Sequence, residues 1–221
     1  MDRAATLADE IAEARGTIDT LDAAGMAALM GTIGELHDLL GRAGSYVGLR
    51  LAENSLDPER GAAMAKLSEA ATELSTKLVF FDLEWAAVPD ERAEALLADP
   101  ALDFCAHHLR TLRRYRNHLL SEAEEKILDE KSVTGRSAWD RFFDETHGAS
   151  RYELDGEKLT RDQVLNRLYA GDRELRRRAA AAVTAGLKDL SRTNTYIFNT
   201  ILADKASDDR LRKYSSWISA R

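Results

Sequence analysis

Asp57-Pro58-Glu59-Arg60-Gly61-Ala62-Ala63-Met64-Ala65-Lys66-Leu67 opens the stretch whose reading decides the fold. Asp57 offers a side-chain oxygen to the free N–H groups of a first helical turn, and Pro58 brings the φ angle that turn requires. A helix is therefore expected to start here. From Met64 onward, Leu67, Ala71, Leu74, Leu78, Phe81 and Trp85 recur at steps of three and four, which places them on one helix face. The chain before Asn54 repeats the pattern, with Met26, Leu29, Ile33, Leu36, Leu40, Ala43 and Val47 forming a second apolar stripe. Two stripes joined by a short turn cover each other when their helices pair antiparallel. Each helix runs for about 30 residues, so at ~1.5 Å rise per residue the hairpin extends on the order of 45 Å. That is a rod, longer than a compact globule needs. Gly41, Gly44 and Gly48 lie inside the first helix, where each costs about 1 kcal/mol relative to alanine. They are expected to mark a kink or a tight crossing.

Outward from the rod, a short helix is expected around Arg3 to Ala14. Pro89 and Asp99-Pro100 open two further helices, the second presenting Leu102, Cys105, Leu109 and Leu112 on one face. Ser121 with Glu124 forms a capping box for a helix containing Ile127 and Leu128. The one β signal is Arg151 to Thr160, where Asp155-Gly156 supplies the positive φ angles of a two-residue turn. That register sets Tyr152 opposite Leu159 and Glu153 opposite Lys158. Thr160 with Gln163 forms a second capping box, and Asp172 caps a long helix with the stripe Leu175, Ala179, Val183, Leu187, Leu190, Asn194, Ile197 and Ile201. The expected fold class is mainly all-α: a long antiparallel helical hairpin and connecting helices over 1–117, then a helical domain with one small β-hairpin over 118–221.

Composition agrees and narrows the function. The chain has 221 residues, 44% of them hydrophobic, with three prolines and thirteen glycines, so long helices run uninterrupted. A net charge of −7 opposes general affinity for nucleic acid, which needs a surplus of lysine and arginine on the contacting surface. The single cysteine, Cys105, has no internal disulfide partner. Met1-Asp2-Arg3-Ala4-Ala5-Thr6 does not resemble a signal peptide. The most apolar run, Leu78-Val79-Phe80-Phe81, falls far short of the ~20 residues that cross a bilayer. A cytoplasmic location, no membrane and no nucleic acid are the expectations.

Candidate chemistry is sparse. Cys105, His107, His108, His118 and Glu122 are the densest set of possible metal ligands. Ligands on a helix converge at i, i+3 or i+4, and this set yields only two separate pairs, Cys105 with His108 and His118 with Glu122. Cys105 lies in an apolar stripe and is expected to be buried and inert, while His118 is expected at a helix-to-helix junction. No G-x-S-x-G, S-x-x-K or phosphate loop occurs. The basic runs Arg110, Arg113, Arg114, Arg116 and Arg173, Arg176, Arg177, Arg178 are expected to pair with nearby acids: Glu122, Glu124 and Glu125 for the first, Asp172 and Glu174 for the second. Tyr214, Trp217 and Ile218 crowd the last residues, and such groups either fold back or meet a partner.

His118-Leu119-Leu120-Ser121-Glu122-Ala123-Glu124-Glu125-Lys126-Ile127-Leu128 resembles the H-x-L-S-x-x-E-E-x-I-L stretch of the oligoendopeptidase F family of zinc metallopeptidases, which are thimet-oligopeptidase-like. Thr134-Gly135-Arg136-Ser137-Ala138-Trp139 is similar to that family's T-G-x-x-A-W, and Leu154-Asp155-Gly156 to its D-G hairpin. Asp172-Arg173-Glu174-Leu175-Arg176-Arg177-Arg178-Ala179 is similar to D-R-x-x-R-x-x-A, with Asn199, Lys205 and Arg210-Leu211-Arg212-Lys213-Tyr214 following in the same order. Asn117 and Ala170-Gly171 depart from the family pattern without disturbing a helical fold. Residues 1–117 fit by type only, as paired long helices.

The resemblance implies the non-catalytic N-terminal part of a zinc metalloendopeptidase, forming one wall of a channel that admits short peptides. In that family zinc and its general base come from H-E-x-x-H and a later glutamate. None of His37, His107, His108, His118 and His147 begins such a motif. No catalytic, metal or cofactor-binding residue is therefore expected in this chain. Zinc is expected in a catalytic domain that lies elsewhere, which is also the expected partner, together with short peptides. The competing expectation is a stand-alone helical module that binds another protein.

Overall fold

The structure, a computed structural model, describes residues 2–54 and 56–219. The Asp57 carboxylate accepts the Glu59 N–H at 2.9 Å, and the helix it starts, α3, spans Pro58–Ala87. Asp22 accepts the Gly25 N–H at 2.8 Å and starts α2, Ala23–Glu53. These two long helices pack against each other as the expected hairpin. Their burial is uneven along its length. Met26, Met30, Ile33, Leu36, Phe80, Phe81 and Trp85 are buried, all toward the end where the chain enters α2 and leaves α3. Tyr46 and Leu49 on the distal half are 63% and 72% exposed.

A two-helix rod cannot bury both stripes by itself, and the proximal half is covered by further helices. They are α1 (Asp2–Ala12), α4 (Asp90–Leu97) and α5 (Ala106–Arg114). Leu7, Ile11, Leu96, Leu97, Leu102, Cys105 and Leu109 join the same core. A buried polar fork locks it. Trp85 Nε1 donates to the Leu109 carbonyl at 2.8 Å. The Arg113 guanidinium donates to the carbonyls of Trp85 and Val88 at 2.7 and 2.6 Å and to Asp90 at 2.6 Å.

The rest of the chain is α6 (Glu122–Ser132), α7 (Arg136–Ala149), β1 (Tyr152–Leu154), β2 (Glu157–Leu159), α8 (Arg161–Asn166), α9 (Arg173–Asp189) and α10 (Ser191–Leu211). Both capping boxes form as expected, Ser121 with Glu124 and Thr160 with Gln163. The β-hairpin has the expected register, Tyr152 opposite Leu159 and Glu153 opposite Lys158. Its turn residues Asp155 and Gly156 take φ of 53° and 85°. Tyr152, Leu154, Leu159, Val164, Ala179 and Ala182 make a second, smaller core. The mainly all-α expectation holds, with a single two-stranded sheet among the described residues.

Three details differ from the sequence reading. Nothing lies within 4 Å of a side-chain carbon placed on Gly41 or Gly44, and Gly48 makes only ordinary contact with Met64 at 3.5 Å. The glycines therefore mark no tight crossing. Asp99-Pro100 opens one 3₁₀ turn, Pro100–Leu102, and α5 starts only at Ala106. The helix expected from Asp172 through Ile201 is two helices, α9 and α10, meeting at Leu190. One straight helix could not serve both partners: Ala179 and Ala182 of α9 pack on the β-hairpin, whereas α10 packs on α7.

The end of α10 is tied back across the molecule. Arg212 donates to both Glu125 oxygens at 2.7 and 2.8 Å and to the His118 carbonyl at 3.3 Å. His118 Nδ1 donates to the Arg212 carbonyl at 2.7 Å, and its ring stacks on Tyr214 with centroids 4.0 Å apart. His118 thus sits at the expected junction, and Tyr214 folds back. Burial opposes ionisation of Glu125, but hydrogen bonds from Arg212 and the Leu120 N–H outweigh it and hold the carboxyl below its usual range.

A carboxyl depressed in the folded state stabilises above its unfolded pKa of about 4.3 and loses that contribution as pH falls through the folded value. Glu125→Gln is expected to cost about 2 kcal/mol at pH 7, and urea unfolding should show the gap to the unaltered chain closing below pH 4. Gly186 gives a prediction of opposite sign to helix propensity. A side-chain carbon there would sit 2.5 Å from the ring of Tyr152, which is 2% exposed. Gly186→Ala is expected to destabilise by about 1–3 kcal/mol, read as a lower urea midpoint, where an open helical site would gain stability.

Candidate functional site

The residues weighed as zinc ligands do not come together. Cys105 is buried, its thiol faces the Leu102 carbonyl at 3.5 Å, and burial pushes its pKa up, opposite to what a nucleophile or metal ligand needs. His107 and His108 are exposed on α5, while His118 belongs to the tie just described. Glu122 is held below its usual range by hydrogen bonds from Lys126 and Arg15. Among the described residues no group of three or more histidines, cysteines and carboxylates could hold a metal ion. The described residues weighed as ligands thus do not converge on a site that fits zinc.

Five of the eight arginines in the basic runs meet acids, with partners that differ in part from those expected. Arg113 and Arg116 both meet Asp90, and Arg110 meets Glu94, so the first run faces α4 instead of Glu122, Glu124 and Glu125. In the second run Arg177 pairs with Glu174 as expected, whereas Arg178 reaches across to Asp155 in the β-turn. Sequence proximity misled because α4 packs back beside α5. No helix of the described residues is long and apolar enough to cross a membrane.

What does assemble is an outward-facing apolar surface where α7 meets α10. On one side of their contact lies a groove of about 690 Å³ lined by Asp140, Phe143, Asp144, His147, Arg161 and Phe198, among others. On the other lies a groove of about 650 Å³ lined by Trp139, Phe142, Arg192, Thr193, Thr195 and Tyr196. Thr195 borders both. The rings fall into two groups: Trp139 meets Phe142 edge-on at 6.3 Å and Tyr196 at 5.5 Å, and Phe143 lies 4.2 Å from the His147 ring. Phe142, Tyr196 and Phe198 are 45%, 63% and 62% exposed. Exposed aromatic residues this closely grouped mark a binding surface more often than a solvated face.

One buried polar contact sets the spacing of the two helices. His147 is 5% exposed, and its Nε2–H donates to Asn194 Oδ1 at 3.1 Å. With the proton on Nε2, the Nδ1 lone pair is an acceptor, and it has no partner. The sequence reading gave His147 no role and missed the aromatic surface. α7 lacks a clean apolar stripe, and the rings on α10 fall outside the stripe that continues from α9.

Comparison with known proteins follows the same lines. Residues 84–152 match the N-terminal peptidase M3 family model described as Oligopeptidase F. The fold is similar to that of oligoendopeptidase-F from Enterococcus faecium, with a TM-score of 0.77 at 16% identity, covering 98% of this chain and 43% of that one. It is also similar to a putative peptidase from Chlamydophila abortus, with a TM-score of 0.59 at 17% identity, covering 92% of this chain and 35% of that one. The chain spans less than half the length of either protein. Among curated proteins none matches. The resemblance drawn from the motif order is borne out by the family model over residues 84–152, and the fold of nearly the whole chain is similar to that of the solved oligoendopeptidase-F.

The His147–Asn194 contact makes a checkable statement about the surface above it. Asn194→Ala strips the imidazole of its one partner and is expected to cost about 1–2 kcal/mol. His147→Leu removes both ring nitrogens, the unpartnered one included, and is expected to cost less. Urea unfolding of the two variants decides the order.

Proposed function

Proceeding from the likeness to the N-terminal region of oligoendopeptidase F, we propose that this chain is the non-catalytic N-terminal part of a cytoplasmic zinc metalloendopeptidase, forming one wall of a channel for short peptides. The observation that carries the reading is the exposed aromatic surface of α7 and α10, on a chain whose sequence contains no H-E-x-x-H. A surface of this kind grips apolar side chains without chemistry of its own. The catalytic step then belongs to another part of the protein, where a metal polarises the peptide carbonyl and activates water. In this reading the chain contributes binding and orientation.

The competing role, a stand-alone module that captures another protein, draws on Tyr46 and Leu49 along the rod and on Ile218 near the carboxyl end, all more than half exposed. The two readings part in one experiment. The 221-residue chain is expected neither to take up one equivalent of zinc nor to turn over a quenched short peptide. Joined to, or mixed with, the polypeptide supplying H-E-x-x-H, it should support turnover of short peptides and leave folded proteins intact. Unaided hydrolysis by the chain, or nanomolar capture of an unrelated protein with no peptidase sequence encoded nearby, overturns the channel-wall role.

A further inference from the structure

The two cores of the chain share no residue. The first is built around α1–α5 and reaches no further than Leu112, and the second lies wholly between Tyr152 and Val183. α6 sides with the first by packing on α3, whereas α7 sides with the second half by packing on α10, which also meets α9. Across this boundary only α6 and α7, neighbours in the chain, pack closely. Among residues 2–54 and 56–214, every hydrogen bond, ion pair and ring contact that crosses it away from the connecting turn joins Arg212 or Tyr214 to His118 or Glu125. The connecting turn is Val133-Thr134-Gly135, between the end of α6 at Ser132 and the start of α7 at Arg136. Glycine is required in it, because a side-chain carbon on Gly135 would lie 2.9 Å from the Lys131 carbonyl oxygen. Two bodies with separate cores keep a fixed relation only where a large apolar interface joins them. Here the join is a short turn, of the kind that absorbs backbone rotation in hinge motions, and one charged tie.

We propose that α7–α10 with the β-hairpin form a panel that pivots on Val133–Gly135, and that Arg212 is its latch, holding the panel to α6 while bonded to Glu125 and His118 and releasing it when those bonds part. The inference stands apart from the channel-wall reading. The aromatic surface of α7 and α10 travels with the panel, whatever that surface binds. It therefore takes two positions relative to the hairpin core, and a ligand that touches both the surface and the core selects one of them. The latch is suited to this because its bonds are charge-assisted and few: made, they hold strongly, and broken, they leave no apolar interface behind to keep the panel in place.

The test is pulsed electron–electron resonance on the 221-residue chain with spin labels at exposed sites. Glu73→Cys on α3 with Lys158→Cys on β2 spans the two bodies, and Lys158→Cys with Lys188→Cys on α9 reports within the panel. Cys105 is buried and stays unlabelled. With the tie intact, the spanning pair is expected to give one narrow distance. Arg212→Gln removes the paired bonds to Glu125. It should raise the open-to-closed ratio at least about tenfold and spread the spanning distances, and Glu125→Gln should do so to a lesser degree. In both variants the internal pair should keep its narrow distance, since the panel moves as one piece. A spanning distance that stays narrow in Arg212→Gln, or one already broad with the tie intact, overturns the latch. Broadening of the internal pair together with the spanning one means that the panel melts instead of turning, and overturns it too.

Discussion

The guanidinium of Arg212 is the tie on which the arrangement of the second half depends. It grips both oxygens of Glu125 and the His118 carbonyl, while His118 returns a hydrogen bond to the Arg212 carbonyl. Residues separated by about ninety positions in the chain are thus joined by charge-assisted bonds in a partly buried setting, where such bonds are strongest. Lys213 adopts the left-handed conformation with φ of 59°, and the Tyr214 N–H returns to the Asp209 carbonyl, so α10 ends where the tie needs it to end. Since α6 also packs on α3, this one knot fixes α10 relative to the hairpin core.

From that constraint the outward surface follows. α10 is held at its far end by Arg212, and at its start the break at Leu190 frees it from the direction of α9. It can then lie along α7, with His147 and Asn194 facing each other in the contact, Trp139 half-buried and the rings of Phe142, Phe143, Tyr196 and Phe198 left outside. Those rings are too large and too numerous for the small second core, whose six buried residues already cover the β-hairpin and α9. The surface is therefore a product of the topology.

Much of this was legible in the residues because it is local. The caps at Asp57, Ser121, Thr160 and Asp172 act within three positions, and the Asp155-Gly156 turn fixes its own register, so each was readable without knowing what packs where. The motif order from His118 to Tyr214 carried the family resemblance for a related reason, since it follows the residues that build the tie and the hairpin. What escaped was set at a distance. Arg113 and Arg116 were assigned to acids near them in sequence, but α4 folds back to put Asp90 between them. The apolar periodicity from Leu175 to Ile201 continued through Leu190 as though one partner lay along it, and there are two. His147 carried no signal at all, because its significance lies in Asn194, forty-seven positions later.

A wall can hold rigid side chains toward a reaction only if its own stability does not depend on them. Here that separation is explicit: the hairpin core is locked by Arg113 and Trp85, the return of the chain by Arg212 and Glu125, and the α7 and α10 spacing by His147 and Asn194. None of the exposed rings donates or accepts in these contacts. Buried polar contacts of this kind are costly when broken and so specify a single arrangement, whereas exposed aromatic faces contribute little to folding and are free to serve a ligand. The division places structural demand behind the surface and leaves the surface itself to the role proposed above. It suits a polypeptide that positions substrate and leaves bond cleavage to another part of the protein.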